Sequence, residues 1–223
     1  HLTRAAHEKQ IAVHAWVNPL RVTTGSAAYP QTDRTALPAD SYAAAHPDAV
    51  VAYADGKLYF NAGLPEIRQL VADGVREICE NYAVDGIIFD DYFYPYPVDG
   101  AVFDDDAAYA AYGADCADRA DFRRDSINKL VRACYDAVKE TDPDIRFGVS
   151  PFGIWKNGDG ENGGSATRGL SAYDAIYCDA LAWVDGGYVD YLAPQIYWRF
   201  STKVARYDVL VRWWNTLLDG TDV

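Results

Sequence analysis

Apolar residues along the chain follow two alternating patterns, short continuous runs and longer stripes with helical spacing. The continuous runs, which predict buried strands, cover 11–17, 86–89, 145–152 and 189–198. The helical stripes cover 65–82, 121–140, 172–184 and 203–218, and Pro65 suits a first helical turn. Strands that are apolar on both faces and alternate with helices predict an α/β fold with a parallel sheet.

The connections differ in length at the two ends of the predicted strands. Those before the strands are short, as in VDG before residue 86, whereas those after the strands are long and cover roughly 19–64, 93–120 and 151–171. Long loops after the strands favour a TIM barrel, because the active site of that fold lies at the carboxyl ends of its strands. A doubly wound sheet is the alternative, but no GxGxxG or GxxxxGK[ST] motif follows a strand.

We therefore expect one (β/α)8 TIM-barrel-type domain over residues 1–223. The first long loop, near 19–64, is expected to carry a small hairpin over 50–63 that turns at Asp55-Gly56. The run DDD (104–106) predicts the start of a helix, since acidic residues are favoured at the positive end of the helix dipole.

Each predicted strand ends in polar groups mixed with aromatic rings. Alternation along a strand brings the side chains at every second position to the same face. Aromatic rings cover the apolar face of a sugar, while amides, His and carboxylates bind its hydroxyls, so a sugar site is predicted at this rim. The expected substrate-binding residues are His14, Trp16, Asn18, Tyr92, Tyr94, Trp155, Gln195, Tyr197 and Trp198.

Two adjacent carboxylates, Asp90 and Asp91, follow the strand GIIF and are the candidate catalytic residues. Glycosidic cleavage uses a pair of carboxyl groups. Adjacent strand residues face opposite ways, so we expect Asp90 to be the essential acid or nucleophile and Asp91 to support it. The plainer alternatives are a turn or a helix cap for the Asp pair, and a core position for His14.

The amino-acid composition limits the classes of molecule that the protein is expected to bind. The 20 basic and 33 acidic residues give a net charge of −13, which argues against nucleic acid or anionic lipid as a partner. No apolar run approaches the roughly 20 residues of a membrane helix. The four cysteines form no CxxC pair and are expected to be small buried apolar residues. No HxH or HExxH spacing accompanies His14, so neither a metal nor a cofactor is expected.

Five motifs in order resemble the glycosyl-hydrolase-like 10 family of bacterial envelope proteins: HAWVNPLRV, GKLYFNAGLPEIR, DGIIFDDYFYP, RFGVSPFGIW and VDYLAPQIYW. The resemblance covers nearly the whole chain. It implies a TIM-barrel glycoside hydrolase of the cell envelope, or a secreted one, acting on peptidoglycan glycan strands stripped of their peptides. It also places Asp90 and Asp91 at the end of the fourth barrel strand.

The same resemblance implies that the chain covers about strands three to six of the barrel, so that further segments or a partner chain would complete it. Many family members have His where this chain has Ile88, which leaves Asp90 with one polar neighbour fewer. A non-catalytic carbohydrate-binding barrel is therefore the alternative function. Glu161, in the loop 158–164, is a candidate lid residue over the site.

Overall fold

The computed structural model describes residues 2–160 and 163–223. Its strands are β1 (His14–Val17), β2 (Val50–Ala52), β3 (Leu58–Phe60), β4 (Gly86–Phe89), β5 (Arg146–Val149) and β6 (Tyr191–Leu192). Its α-helices are α1 (Leu2–His7), α2 (Tyr42–Ala45), α3 (Pro65–Asn81), α4 (Asp106–Tyr112), α5 (Arg119–Thr141), α6 (Ala172–Ala175), α7 (Ala180–Gly186) and α8 (Tyr207–Leu218). Two short 3₁₀ turns cover Arg34–Ala36 and Pro47–Ala49.

The main sheet is parallel, and its strands lie side by side in chain order, β1-β4-β5-β6. Strand order that never reverses, with right-handed crossovers, puts successive helices on one face of the sheet. The helices α3, α5 and α7 accordingly pack in sequence against one another. A doubly wound sheet would reverse its order at a switch point. The fold is therefore of the TIM-barrel type, as predicted, with four barrel strands in this chain.

The core lies between the sheet and its helices. Ile87 and Phe89 of β4 are fully buried and belong to one cluster with Ile67 of α3 and Leu130 of α5. Each such side chain contributes about 1.5–3 kcal/mol by leaving water. Because Ile87 and Phe89 face the helices, period two turns Ile88 and Asp90 to the opposite, interior face of the sheet.

Two glycines shape that interior face. The Tyr191 ring lies over Gly148 so closely that a Cβ there would be 2.3 Å from the ring, and a Cβ at Gly86 would be 2.6 Å from the ring of His14. The Nδ1 atom of His14 and the hydroxyl of Tyr191 are 2.6 Å apart and share a hydrogen bond. Since β1 and β6 are the edges of the sheet, this contact requires the sheet to curve around its interior face.

Several predicted elements are shorter than expected, and two of them depart most from the prediction. The helix predicted over 172–184 is divided into α6 and α7, because Tyr177 between them adopts a left-handed conformation (φ 57°) that ends helical geometry. The strand predicted over 189–198 is reduced to two residues, and Pro194, which has no N–H to donate, follows it. The hairpin is antiparallel and turns through Gly56, at φ +88°.

The cysteines are all free, and three of them are buried in the core: Cys79, Cys134 and Cys178. Burial raises the pKa of each of these thiols, which keeps them in the neutral, unreactive form. Over the residues that the structure describes, no helix combines the length and the apolar character needed to cross a bilayer.

A buried ion pair fixes the loop after β4. The helix predicted at DDD begins at Asp106, but the side chain of Asp105 makes no cap. It instead binds the guanidinium of Arg123 on α5 through two contacts of 2.7 Å, and the Asp105 side chain is fully buried. Arg123 also donates to the hydroxyl of Tyr177 at 2.8 Å. The pair therefore ties the β4–α4 loop to α5 and to the break between α6 and α7.

We predict that Asp105→Ala destabilises the protein by about 3–5 kcal/mol, because it leaves the Arg123 charge buried without its partner. Chemical denaturation followed by circular dichroism measures this change. Asp106→Ala is the matched control, since the neighbouring Asp106 has a 75% exposed side chain. It should cost less than about 1 kcal/mol. Equal losses from the two variants would contradict the prediction.

We also predict that Gly148→Ala destabilises the sheet, because the new methyl group would displace the Tyr191 ring and break its bond to His14. Gly74→Ala, in the middle of α3, meets no atom within 4 Å and should stabilise the protein by about 0.5–1 kcal/mol. Thermal melts of the two variants should move in opposite directions. A neutral Gly148→Ala would show that the sheet tolerates the added carbon.

Candidate active site

Asp90 lies at the carboxyl end of β4, on the interior face of the sheet, and is only 7% exposed. Its Oδ2 accepts hydrogen bonds from Asn18 Nδ2 at 3.0 Å and from Trp16 Nε1 at 3.4 Å. Its Oδ1 accepts from the backbone N–H of Tyr92 at 3.1 Å. The spacing of Trp16 and Asn18 on β1 and its extension brings both donors to this one carboxylate, as the alternation predicts.

Burial and hydrogen bonding act in opposite directions on the acidity of Asp90. Burial, helped by the nearby charge of Asp91, raises the pKa of Asp90, while the three donors lower it and only partly offset the burial. The carboxylate is consequently a stronger base than an exposed aspartate. Carboxyl groups with raised pKa values at strand ends of a barrel are candidates for acid–base or nucleophilic roles.

Asp91 faces away from Asp90 and is 1% exposed. Its Oδ1 accepts a hydrogen bond from Gln195 Nε2 at 3.0 Å, and its Oδ2 accepts one from the hydroxyl of Tyr96. Gln195 also donates to the backbone oxygen of Ser150 at 2.9 Å. Burial, followed by the bond to Asp91, raises the pKa of Tyr96. Asp91 therefore joins the loop after β4 to the ends of β5 and β6.

Aromatic rings border Asp90 on its open side. Trp16 is 58% exposed, while Tyr92 is half-buried and packs edge-on against Tyr96 with 5.5 Å between ring centroids. The guanidinium of Arg21 lies 5.3 Å from the centroid of Tyr92. Asp90, its donors and these rings form what we call the Asp90 rim: Trp16, Asn18, Arg21, Asp90 and Tyr92.

His14 lies on the same face of β1, two positions before Trp16. Its bond to Tyr191 satisfies one ring nitrogen, and burial, with a contribution from the charge of Arg146, lowers its pKa. A lowered pKa keeps the imidazole neutral at pH 7. The structure thus places His14 in the layer beneath the Asp90 rim, where its ring contacts Tyr191 of β6.

Tyr94 does not reach the rim, contrary to our expectation. It is 2% exposed and packs edge-on against Phe103 and Tyr177, at centroid distances of 5.1 and 5.2 Å. The expectation failed because the segment after Asp91 leaves the extended conformation, so alternation no longer holds and both Phe93 and Tyr94 turn into the core.

Trp155, Tyr197 and Trp198 also lie apart from Asp90. Trp155 donates to Asp179 at 3.0 Å and stacks on Trp213 of α8 at 6.0 Å, beside a cleft of about 680 Å³ between α7 and α8. Trp198 packs against Phe152 at 5.5 Å, while Tyr197 is 82% exposed. No contact in the described part of the chain joins these three rings to Asp90.

Three contributors to the site were missing from the predicted set. Ser150 and Tyr96 hold the Asp91–Gln195 arrangement, and both follow strand ends, which is the one sequence signal that could have found them. Arg21 sits three residues after Asn18, and its backbone N–H donates to Asn18 Oδ1 at 3.2 Å. Nothing in the spacing of VNPLR indicates this contact.

A metal site would need converging ligands. Among residues 2–160 and 163–223, no three His, Cys, Asp or Glu side chains are grouped so that they could hold an ion. The proposed lid residue Glu161 lies outside the described residues.

Comparison with known proteins identifies relatives. The family model described as "Glycosyl hydrolase-like 10" matches residues 1–223. The chain is 41% identical over 211 residues to Glycosyl hydrolase YngK of Bacillus subtilis (strain 168), a match that covers 94% of this chain and 40% of that protein. It is 39% identical over 222 residues to Glycosyl hydrolase DigH of Escherichia coli (strain K12), covering 97% of this chain and 49% of that protein.

The chain thus spans half the length or less of these curated relatives. Among solved structures, an α-galactosidase from Thermus thermophilus, in complex with stachyose, matches with a TM-score of 0.45 at 17% identity. That match covers 86% of this chain and 30% of the other chain.

We predict that Asn18→Ala raises the pKa of Asp90 further, because it removes a donor that favours the charged carboxylate. The ¹³C chemical shift of the Asp90 carboxyl carbon, followed by NMR as pH is lowered, measures this. Its midpoint should move to higher pH. Asn81→Ala is the control, since Asn81 is exposed at the end of α3 and bonds only the Glu77 carbonyl. An unchanged midpoint in Asn18→Ala would contradict the assigned hydrogen bond.

Proposed function

Since the chain belongs to the glycosyl hydrolase-like 10 family, we propose that it cleaves O-glycosidic bonds with Asp90 as the essential carboxyl group. The observation that supports this most directly is the setting of Asp90. It is a buried carboxylate with a raised pKa at the end of a barrel strand, bordered by exposed ring surface. A hydrolase of glycosides needs a carboxyl group with perturbed acidity against the sugar.

Asp90 acts in this proposal as the acid or the nucleophile. Both of its oxygens accept hydrogen bonds, which suits a carboxylate in the charged form. Its raised pKa makes that carboxylate a better proton acceptor, and in the protonated form a group that stays protonated to higher pH than an exposed aspartate. Trp16 and Tyr92 would stack on sugar rings.

Asp91 supports the site rather than reacting. It is 1% exposed, and it holds the Gln195 amide through one N–H while the Ser150 carbonyl holds the other. This leaves the Gln195 carbonyl oxygen available to accept a bond from a sugar hydroxyl. The second carboxyl group that hydrolysis requires is therefore, in our proposal, a residue other than Asp91.

The substrate we propose is a bacterial cell-wall glycan, peptidoglycan strands stripped of their peptides, or a related polysaccharide. The location that goes with it is the cell envelope or the exterior. The family resemblance suggests both. The Asp90 rim supports a polymer of sugars in general, because it combines ring surface with hydrogen-bonding groups on an open face.

A binding function without catalysis is the second candidate, and Ile88 favours it. This side chain lies two positions before Asp90 on the interior face, where a histidine would have offered Asp90 a polar neighbour. The site would then hold a glycan on its rings without cleaving it.

We predict that Asp90→Asn lowers the rate of glycan cleavage by about 10²- to 10⁴-fold, because an amide neither accepts the proton nor attacks as a carboxylate does. Wild type and variant are incubated with peptide-stripped peptidoglycan strands, and the products are read by mass spectrometry. Asp99→Asn, an exposed residue in the same loop, is the control and should keep full activity.

Full activity of Asp90→Asn would remove Asp90 from the chemistry. If neither wild type nor variant gives products while both bind the glycan, the second candidate, a binding barrel, replaces the hydrolase.

A further inference from the structure

We propose that Arg21 is a specificity residue that binds a carboxylate group on the sugar polymer held at the Asp90 rim. The inference rests on the proposed function and refines its substrate class to glycans whose sugars carry carboxylates. Its basis is a cation that lies over Tyr92, on the same rim as Asp90, and that has no ionic partner among residues 2–160 and 163–223.

The backbone of Arg21 is held in place from two sides. Its N–H donates to Asn18 Oδ1 at 3.2 Å, and it pairs in antiparallel fashion with Tyr59 of β3. The same Asn18 amide donates through Nδ2 to Asp90 at 3.0 Å. One asparagine therefore sets the position of both the carboxylate and the arginine, so that the two move as parts of one rim.

The guanidinium of Arg21 lies over Tyr92, 5.3 Å from the ring centroid. The backbone N–H of Tyr92 in turn donates to Asp90 at 3.1 Å, so the residue under the cation also holds the carboxylate. Within residues 2–160 and 163–223, no carboxylate lies within 4 Å of Arg21, and its guanidinium donates no hydrogen bond. Its five N–H donors are thus free for a ligand.

Arg21 does not serve to neutralise Asp90. Burial and the charge of Asp91 raise the pKa of Asp90, and within the described residues the guanidinium of Arg21 makes no ion pair with that carboxylate. Stacking on Tyr92 alone would not require Arg21 either, because a neutral side chain could cover the ring without the cost of confining a charge. The positive charge of Arg21 is therefore available to bind a ligand.

The net charge of the chain indicates why a cation is useful at this position. With a net charge of −13 and two carboxylates at the end of β4, the protein repels an acidic glycan unless a local cation compensates. A guanidinium presents two parallel N–H groups that match a carboxylate in a bidentate pair. A neutral glycan would gain only hydrogen bonds to its hydroxyls, which a neutral amide side chain supplies as well. Two kinds of sugar supply the carboxylate: a hexuronic acid, and an amino sugar with a free lactyl ether, as in peptide-stripped peptidoglycan.

The test compares each acidic glycan with the same glycan after its carboxyl groups have been reduced to alcohols. On the acidic polymer, Arg21→Gln should lower kcat/KM by about 10- to 100-fold, mainly through KM, because a charge-assisted pair to the substrate is lost. On the reduced polymer, wild type and Arg21→Gln should be alike. Arg21→Lys should recover part of the loss, since it restores the charge without the bidentate geometry.

Arg132→Gln is the matched control. The Arg132 guanidinium also lies 5.3 Å from a tyrosine centroid, that of Tyr188, but it is on α5 and pairs with Asp136. This variant should not distinguish the two polymers. Running a uronic-acid polymer beside peptide-stripped peptidoglycan strands identifies the source of the carboxylate, since the Arg21 effect should be confined to one of them.

Equal losses of Arg21→Gln on acidic and reduced polymer would overturn the proposal and leave Arg21 a structural role. If wild type cleaves neither polymer, the hydrolase proposal fails by itself. The Arg21 proposal is then decided by equilibrium binding of the same polymers: weaker binding of Arg21→Gln to the acidic form alone supports it, and unchanged binding refutes it.

Discussion

Two neighbouring carboxylates at the end of one strand cannot face the same way, and this constraint organises the site. Because Ile87 and Phe89 must face the helices to fill the core, Asp90 is turned to the interior of the sheet. Asp91 is then turned aside, toward the ends of β5 and β6. The different surroundings of the two carboxylates follow from the packing of the two apolar side chains that precede them.

The hydrogen bonds that support the two carboxylates have one feature in common. Most of them join strand ends beyond the point where the backbones pair. Past the end of β4 the sheet no longer supplies a full ladder of hydrogen bonds. Asn18 and Gln195 instead bind carboxylate oxygens at the end of β4 from the neighbouring strands. Tyr96 binds Asp91 from within the loop after β4. The buried pair of Asp105 and Arg123 does the same for the longer loop behind the site. Breaking such a contact leaves a buried polar group without its partner, which costs free energy. The loops are therefore held in one arrangement.

Much of the fold was predictable because local pattern and packing agree. GIIF marks β4 without error, and the stripes over 65–82 and 121–140 correspond to α3 and α5. The convergence of Trp16, Asn18 and Asp90 also followed from strand alternation alone.

Prediction failed where the backbone leaves regular geometry. The left-handed Tyr177 bonds Arg123, and the buried Tyr94 packs against Tyr177, so both lie against residues that are distant in sequence. The ring of Trp155 found partners on α8 for the same reason, since no local pattern reveals Trp213 as its neighbour. The position of Arg21 beside Tyr92 could not be predicted from the sequence either, because it depends on how Asn18 and β3 hold the Arg21 backbone.

The sequence separations within the site bear on the order of folding. Asn18 and Asp90 are 72 residues apart, and Asp91 and Gln195 are 104 residues apart. The hairpin β2–β3 closes a much shorter loop and can form first, at lower entropic cost. Asp90 therefore acquires its bond from Asn18, and Asp91 its bond from Gln195, only when distant parts of the chain have met. Until then both carboxylates are hydrated charges at the end of the apolar strand β4. Their hydration opposes the burial of that strand before its correct partners are in place.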